Sequence, residues 1–251
     1  MDKYAVFLDF DGTLGNDYAD IKIHPDNIEA IKEVRAKGHK VYICTGRSGG
    51  FLPPFLCETV EYDGIIAGMG AEVYIGNKVL RKDLIDSNEV YEILKYFMDK
   101  GHDVRLEGPL QVYSTYPKES YDFVILKTPD DYKSKNYPIT SILIRDYPDE
   151  EIMKKLSDRY ELARHDKCFE FSAKGCSKDK GIDIVLGHTG IPLSRTLAIG
   201  DSTNDIPMLK HVAIGIAMGN AYEDVKKECK YITDTCENAG VAKALRKFLL
   251  N

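Results

Sequence analysis

Five short runs, residues 4–8, 41–45, 64–67, 196–199 and 213–217, are almost entirely apolar and end in a polar or glycine-containing turn. A strand that is apolar on both faces has to be covered on both, the condition of a parallel sheet between helical layers. Helical patterns alternate with these runs. Residues 25–37 place Ile28, Ile31 and Val34 on one stripe and end at Gly38, and Val241, Ala244, Leu245 and Phe248 form another stripe near the C-terminus. Strands alternating with helices predict an α/β fold on a parallel sheet.

The pattern changes in the middle of the chain. A hairpin is expected where 73–75 and 79–80 flank Gly76-Asn77. A helix over 88–100 follows, capped by Ser87 and stopped by Gly101, with Val90, Ile93, Leu94 and Phe97 on its apolar stripe. Short strand candidates come next at 104–106, 111–114, 141–144, 161–164 and 168–172. A second helix is expected over 150–160, and residues 116–138 are rich in Pro, Lys, Asp and Tyr. This is an α+β insertion over 82–171 within an α/β domain made of 1–81 and 172–251.

Of the residues, 43% are hydrophobic and 29% charged, so the chain is globular, and a formal charge of −6 gives no general attraction to nucleic acid or anionic lipid. Cys44, Cys57, Cys168, Cys176, Cys229 and Cys236 are scattered without zinc-site spacing, and are expected to be free thiols in a reducing compartment. No stretch approaches the roughly 18 apolar residues of a membrane span and the N-terminus lacks a signal-peptide core, so a cytoplasmic location without membrane partners is expected.

Chemistry concentrates at the ends of the strand candidates. In Asp9-Phe10-Asp11-Gly12-Thr13-Leu14, alternation along a strand turns both carboxylates to one side, at the sheet edge where such folds bind ligands. Taken alone, the motif also fits a solvated Asp-Gly turn. Gly200-Asp201-Ser202-Thr203-Asn204-Asp205 follows another buried run, and Asp9 with Asp201 and a few backbone or water oxygens would suit one Mg²⁺. Asp201 or Ser202 alone would also serve as a helix cap. Thr45-Gly46-Arg47 offers a hydroxyl and backbone N–H groups for a phosphate oxygen. Lys178 is one of three neighbouring lysines, for each of which a solvated surface charge is the bland alternative.

In order and spacing these residues resemble the haloacid dehalogenase superfamily, specifically the Cof-like sugar phosphatases. The likeness runs from residue 9 to 205 and on to Gly215 through Gly219, which is similar to that family's Gly-x-Ala-Met-Gly stretch. It implies a Rossmann-like core with an inserted α+β cap and a Mg²⁺-dependent phosphatase acting on small phosphorylated metabolites. It implies that Asp9 is the nucleophile and Asp11 the general acid and base, protonated when substrate binds. Thr45, Gly46, Arg47, Lys178 and Asn204 would meet the substrate. The metal would be held by Asp9, Asp201 and Asp11 through its backbone carbonyl, with Asp205 orienting metal waters or Lys178.

The resemblance leaves a phosphomutase of the phosphomannomutase kind as the enzymatic alternative, and a non-catalytic phospho-ligand sensor as one from another class. Asp11 argues against dehalogenation. Gly68-Met69-Gly70 lacks the third glycine of a dinucleotide loop. On the insert, Arg105, Glu107, Gln111, Tyr113, Tyr116 and Arg145 are the polar and aromatic candidates for contact with a leaving group.

Overall fold

The computed structural model describes residues 3–16, 21–116, 121, 123–146, 150–164 and 168–250. The chain begins with β1 (Ala5–Leu8), buried along its whole length, followed by α1 (Pro25–Ala36), β2 (Lys40–Cys44), α2 (Phe55–Thr59) and β3 (Gly64–Ala67). Proline in its first turn starts α1, and Gly38 in the left-handed region follows its end. The hairpin is β4 (Glu72–Ile75) and β5 (Lys78–Lys82), paired antiparallel across the turn at Gly76.

After Lys82 come α3 (Ser87–Asp99), β6 (Val104–Glu107), β7 (Val112–Ser114), β8 (Val124–Ile125) and α4 (Pro129–Lys135). They are followed by β9 (Ser141–Arg145), α5 (Glu150–Arg159), β10 (Tyr160–Arg164) and β11 (Cys168–Ala173). These six strands form one sheet in the order β10-β11-β9-β6-β7-β8. Val104, Leu106, Ile142, Ile144, Phe169 and Phe171 belong to a buried cluster that takes in Val90, Leu94 and Phe97 of α3 and Met153 and Leu156 of α5. Alternation sends the intervening residues to the opposite face, where Arg105 lies level with Leu143 and Leu143 with Glu170.

The chain then forms α6 (Lys178–Thr189), β12 (Thr196–Gly200), α7 (Ile206–His211), β13 (Ile214–Ala217), α8 (Glu223–Glu228), β14 (Tyr231–Ile232) and α9 (Gly240–Leu245). They complete an eight-stranded sheet, β14-β13-β12-β1-β2-β3-β4-β5, parallel from β14 to β3. The fold is the expected α/β architecture, with a second, mainly antiparallel sheet. Because β1 lies between β2 and β12, its carboxyl end sits where the strand order reverses, the position at which open α/β sheets bind ligands.

Two local expectations change, and one stretch read only by its composition gains elements. Asp86, not Ser87, caps α3, its carboxylate accepting from the amides of Asn88 and Glu89; Ser87 is the first helical residue. The second helix ends at Arg159, and Tyr160 begins a strand. Within 116–138 lie β8 and α4, the latter closed at its start by a Thr128–Asp131 capping box; residues 117–120 and 122 are outside the described set. All six cysteines are free, and no helix among the described residues is long and apolar enough to cross a membrane.

Candidate active site

Leu8 lies level with Ile199 in the parallel pair β1–β12, so the next turns deliver Asp9 and Asp201 to the same sheet edge. Gly12 turns the first loop with φ +76°, and a Cβ there would sit 2.4 Å from Asp201 Oδ2. The hydroxyl of Thr13 donates to Asp201 Oδ1 at 3.1 Å, and Asn220 Nδ2 donates to the carbonyl of Gly12 at 2.8 Å. Loop and second acidic cluster are thereby fastened face to face.

Lys178 opens α6 and is fully buried. Its Nζ donates to Asp9 Oδ1 at 2.6 Å and to Asp205 Oδ1 at 2.5 Å. The other oxygen of Asp205 accepts from the amides of Asp201 (3.0 Å) and Ser202 (2.9 Å). Ser202 and Asp205 form a capping box on the short 3-10 turn Thr203–Asp205, so capping is real but falls to Ser202, leaving Asp201 to face Asp9. Lys174 and Lys180 remain on the surface.

Burial, then the charge of Asp205, lifts the Asp9 carboxyl well above its ordinary range against the pull of Lys178. The same two causes push Asp201 up to about 6. Burial works against the charge of Lys178, but Asp205 and Asp9 outweigh it and hold the ammonium well above its usual value. Oxygens of Asp9, Asp201 and Asp205 all lie within 4.8 Å of one another. Crowded, buried carboxylates of this kind are a donor set that a hard cation relieves.

Asp11 points elsewhere. Both of its oxygens are held by Arg47, Nε at 2.8 Å and the terminal nitrogen at 2.7 Å, and its side chain is no part of the carboxylate trio. The Asp11 side chain thus stands apart from the carboxylate trio, and the expectation for Asp11 concerns its backbone carbonyl alone. Arg47 is itself buried with its guanidinium 4.4 Å from the centre of the Phe51 ring. Burial opposes its charge, and the bonds to Asp11 more than restore it. Thr45 is fully buried, its hydroxyl accepting from the Arg47 amide at 3.1 Å. At Gly46 a Cβ would come within 3.5 Å of Asn204 Nδ2, so these two predicted phosphate contacts adjoin each other.

A cleft of about 520 Å³, within the small-molecule range, brings Asp9, Asp11, Gly46, Arg47 and Asn204 together with the polar face of the second sheet. Arg105, Glu107, Tyr116 and Arg145 line it, as the sequence predicts for these four. Gln111 and Tyr113 do not: Gln111 donates to the Val112 carbonyl, and Tyr113 is buried beside the rings of Tyr132 and Tyr137. Burial pushes the Glu107 carboxyl up, and Glu170 adds to this against the pull of Arg105. Sequence reasoning missed Phe51, Asp103, Leu143, Asp146, Cys168 and Glu170. For Glu170 the signal was present, since it alternates with Phe169 and Phe171, which face the core.

A profile of haloacid dehalogenase-like hydrolases matches residues 6–245. The chain is 29% identical over 258 residues to the 5-amino-6-(5-phospho-D-ribitylamino)uracil phosphatase YcsE of Bacillus subtilis (strain 168), covering 100% of this chain and 97% of that protein. Among solved structures, the HAD subclass IIB sugar phosphatase BT4131 superposes with a TM-score of 0.84 at 31% identity, over 98% of this chain and 99% of the other. BT1666 from Bacteroides thetaiotaomicron, described among phosphatases of the same superfamily, gives 0.83 at 28% identity over 98% and 95%.

Proposed function

We propose that this chain, which belongs to the haloacid dehalogenase-like hydrolase family and is a phosphoric monoester hydrolase, cleaves phosphate monoesters of small metabolites, sugar phosphates foremost, through an aspartyl-phosphate on Asp9. The observation that carries this reading is the buried contact of Lys178 Nζ with Asp9 Oδ1 at 2.6 Å, at a cleft that Asp11 also lines. A carboxylate attacks a phosphate anion only where fixed positive charge offsets both.

The stretch from α3 to β11 acts in this reading as a cap whose polar sheet face meets the leaving group. Gly46 and Asn204, with the Thr45 backbone, hold the phosphoryl oxygens, and Lys178 neutralises charge between them and Asp9. An oxygen of Asp9 forms a bond to phosphorus as the bond to the leaving alkoxide breaks, and Asp11, entering this step protonated, gives that alkoxide its proton. Asp11 then takes a proton from water as the water oxygen bonds to phosphorus, releasing phosphate and restoring Asp9.

Asp9 and Asp201, with the backbone carbonyl of Asp11, fit Mg²⁺, which when bound supplies positive charge against the phosphoryl oxygens. Both oxygens of Asp205 already accept hydrogen bonds, so its part is to orient Lys178 and the Asp201–Ser202 backbone. Two related proteins are named for phosphorylated polyhydroxy substrates, a sugar phosphatase and a phosphoribitylaminouracil phosphatase. A cleft wall mixing Arg105, Arg145 and Glu170 suits such hydroxyls.

The test is phosphate release from sugar phosphates, nucleotides and p-nitrophenyl phosphate, with Mg²⁺ or with EDTA. Metal-dependent release, abolished in Asp9→Asn and Asp11→Asn, is expected. Isomerisation of a hexose phosphate without release would replace this reading by a mutase.

A further inference from the structure

Three consecutive amides after Arg47 are each held by an acceptor. Ser48 N–H donates to Glu107 Oε2 (3.2 Å), Gly49 N–H to Glu72 Oε1 (3.3 Å) and Gly50 N–H to the Gly108 carbonyl (2.9 Å). Glu107 and Gly108 belong to the second sheet and its following turn, Glu72 to the first sheet. Thr140 joins the two acids, its hydroxyl donating to Glu72 Oε1 at 2.9 Å and its amide to the Glu107 carbonyl at 2.8 Å. The approach leaves no room at Gly50, where a Cβ would lie 2.4 Å from the Gln111 nitrogen.

Glu107 reaches Arg47 by a second route. Its Oε1 accepts from Arg105 Nε at 2.7 Å, and the Arg105 guanidinium lies 4.8 Å from the Phe51 ring centre, on a ring that Arg47 also contacts at 4.4 Å. Arg47 in turn holds both oxygens of Asp11. A buried carboxylate of the second sheet is thus linked, through one backbone amide and one shared aromatic ring, to the side chain that aims Asp11.

We infer that Glu107 is a positioning residue: by clasping the Ser48–Gly50 backbone and steadying Arg105 against Phe51, it sets the Arg47 guanidinium and, through it, the Asp11 carboxylate. This rests on the reading of Asp11 as proton donor and acceptor. In consequence the proton-transfer geometry is complete only while the second sheet is seated on this loop, and substrate affinity is set elsewhere on the cleft wall.

The experiment uses the full chain and two readouts. Hydrogen exchange of the Arg47 Nε–H, followed by NMR, reports the Arg47–Asp11 pair directly. Glu107→Ala is expected to speed that exchange at least about tenfold, as expected for loss of a buried hydrogen-bonded support. Glu107→Gln, which keeps a carbonyl oxygen for the Ser48 amide but sets an amide nitrogen against Arg105 Nε, is expected to fall between the parent and Glu107→Ala. With a hexose phosphate, Glu107→Ala lowers kcat about tenfold or more while KM changes less than about threefold. Gly50→Ala, which parts the loop from Gly108 without altering a charge, gives the same pattern and serves if Glu107→Ala does not fold. An unchanged Arg47 signal in folded Glu107→Ala overturns the inference, as does a raised KM at constant kcat, which would make Glu107 a substrate contact. Absence of phosphatase activity in the parent chain would count against the proposed function, and the Arg47 signal would still decide the role of Glu107.

Discussion

The guanidinium of Arg47 meets both carboxylate oxygens of Asp11, at 2.8 and 2.7 Å, while stacked on Phe51. A planar fork gripping a planar carboxylate fixes its orientation as well as its position, which the ammonium of lysine cannot do. Arg47→Lys is therefore expected to lower kcat on a sugar phosphate by roughly 10- to 100-fold, with phosphate-release kinetics as the measure. An unchanged kcat would mean that Asp11 needs no such hold.

Lys178 lies fully buried between Asp9 and Asp205. Its removal leaves two carboxylates without their shared counter-charge, a change that costs about 3–5 kcal/mol when a buried pair is broken. Lys178→Met should lower unfolding free energy in urea by that order, and Mg²⁺ should recover part of it by binding the native carboxylates. A variant as stable as the parent, with no response to Mg²⁺, would contradict the electrostatic account of the site.

Gly12 and Gly175 both have positive φ, +76° and +79°, but only Gly12 has a neighbour where a Cβ would stand, Asp201 Oδ2 at 2.4 Å. Alanine at either position meets backbone strain of about 1–3 kcal/mol. Gly12→Ala must also displace Asp201, so it should weaken the Mg²⁺ dependence of activity, whereas Gly175→Ala should lower only the melting temperature. Equal effects of the two on Mg²⁺ titrations would separate Gly12 from the site.

Much of this was legible in the sequence because the parallel strands are apolar on both faces. The apolar run 64–67 is strand β3 to the residue, and the motifs at Asp9 and Asp201 fall at the ends of β1 and β12. The helix α4 was not legible, since Tyr132 is its one buried side chain and its start is written in a Thr–Asp capping box, with no apolar stripe. Ser87 and Asp86 are both good caps, and only backbone geometry decides for Asp86. Asp103 and Asp146, just outside the strands, join the cleft through the way one sheet lies over the other, a relation that no local pattern encodes.

Asp63 knots the first sheet together, accepting from the Val41 amide at 2.9 Å, Lys40 Nζ at 2.9 Å and Arg35 Nε at 3.2 Å. Burial alone would raise its carboxyl, but the bonds from Arg35, Lys40 and Val41 win and hold it below the ordinary 3.8. A depressed folded value means that the stabilisation is complete above the ordinary carboxylate range and fades as the pH falls through that range toward the folded value. Asp63→Asn should cost about 1–3 kcal/mol at pH 7. The gap between parent and variant in urea melts should narrow as the pH falls below the ordinary value; a constant gap would argue against the carboxylate's role.

Transfer of the phosphoryl group to Asp9 is the central claim, and acid quenching of the chain during turnover, followed by peptide mass spectrometry, tests it most directly. The account predicts phosphate on the peptide at Asp9, formed only with Mg²⁺, absent from Asp9→Asn and accumulating in Asp11→Asn if its first step survives. Phosphate on another residue, or turnover that persists in Asp9→Asn, would contradict it.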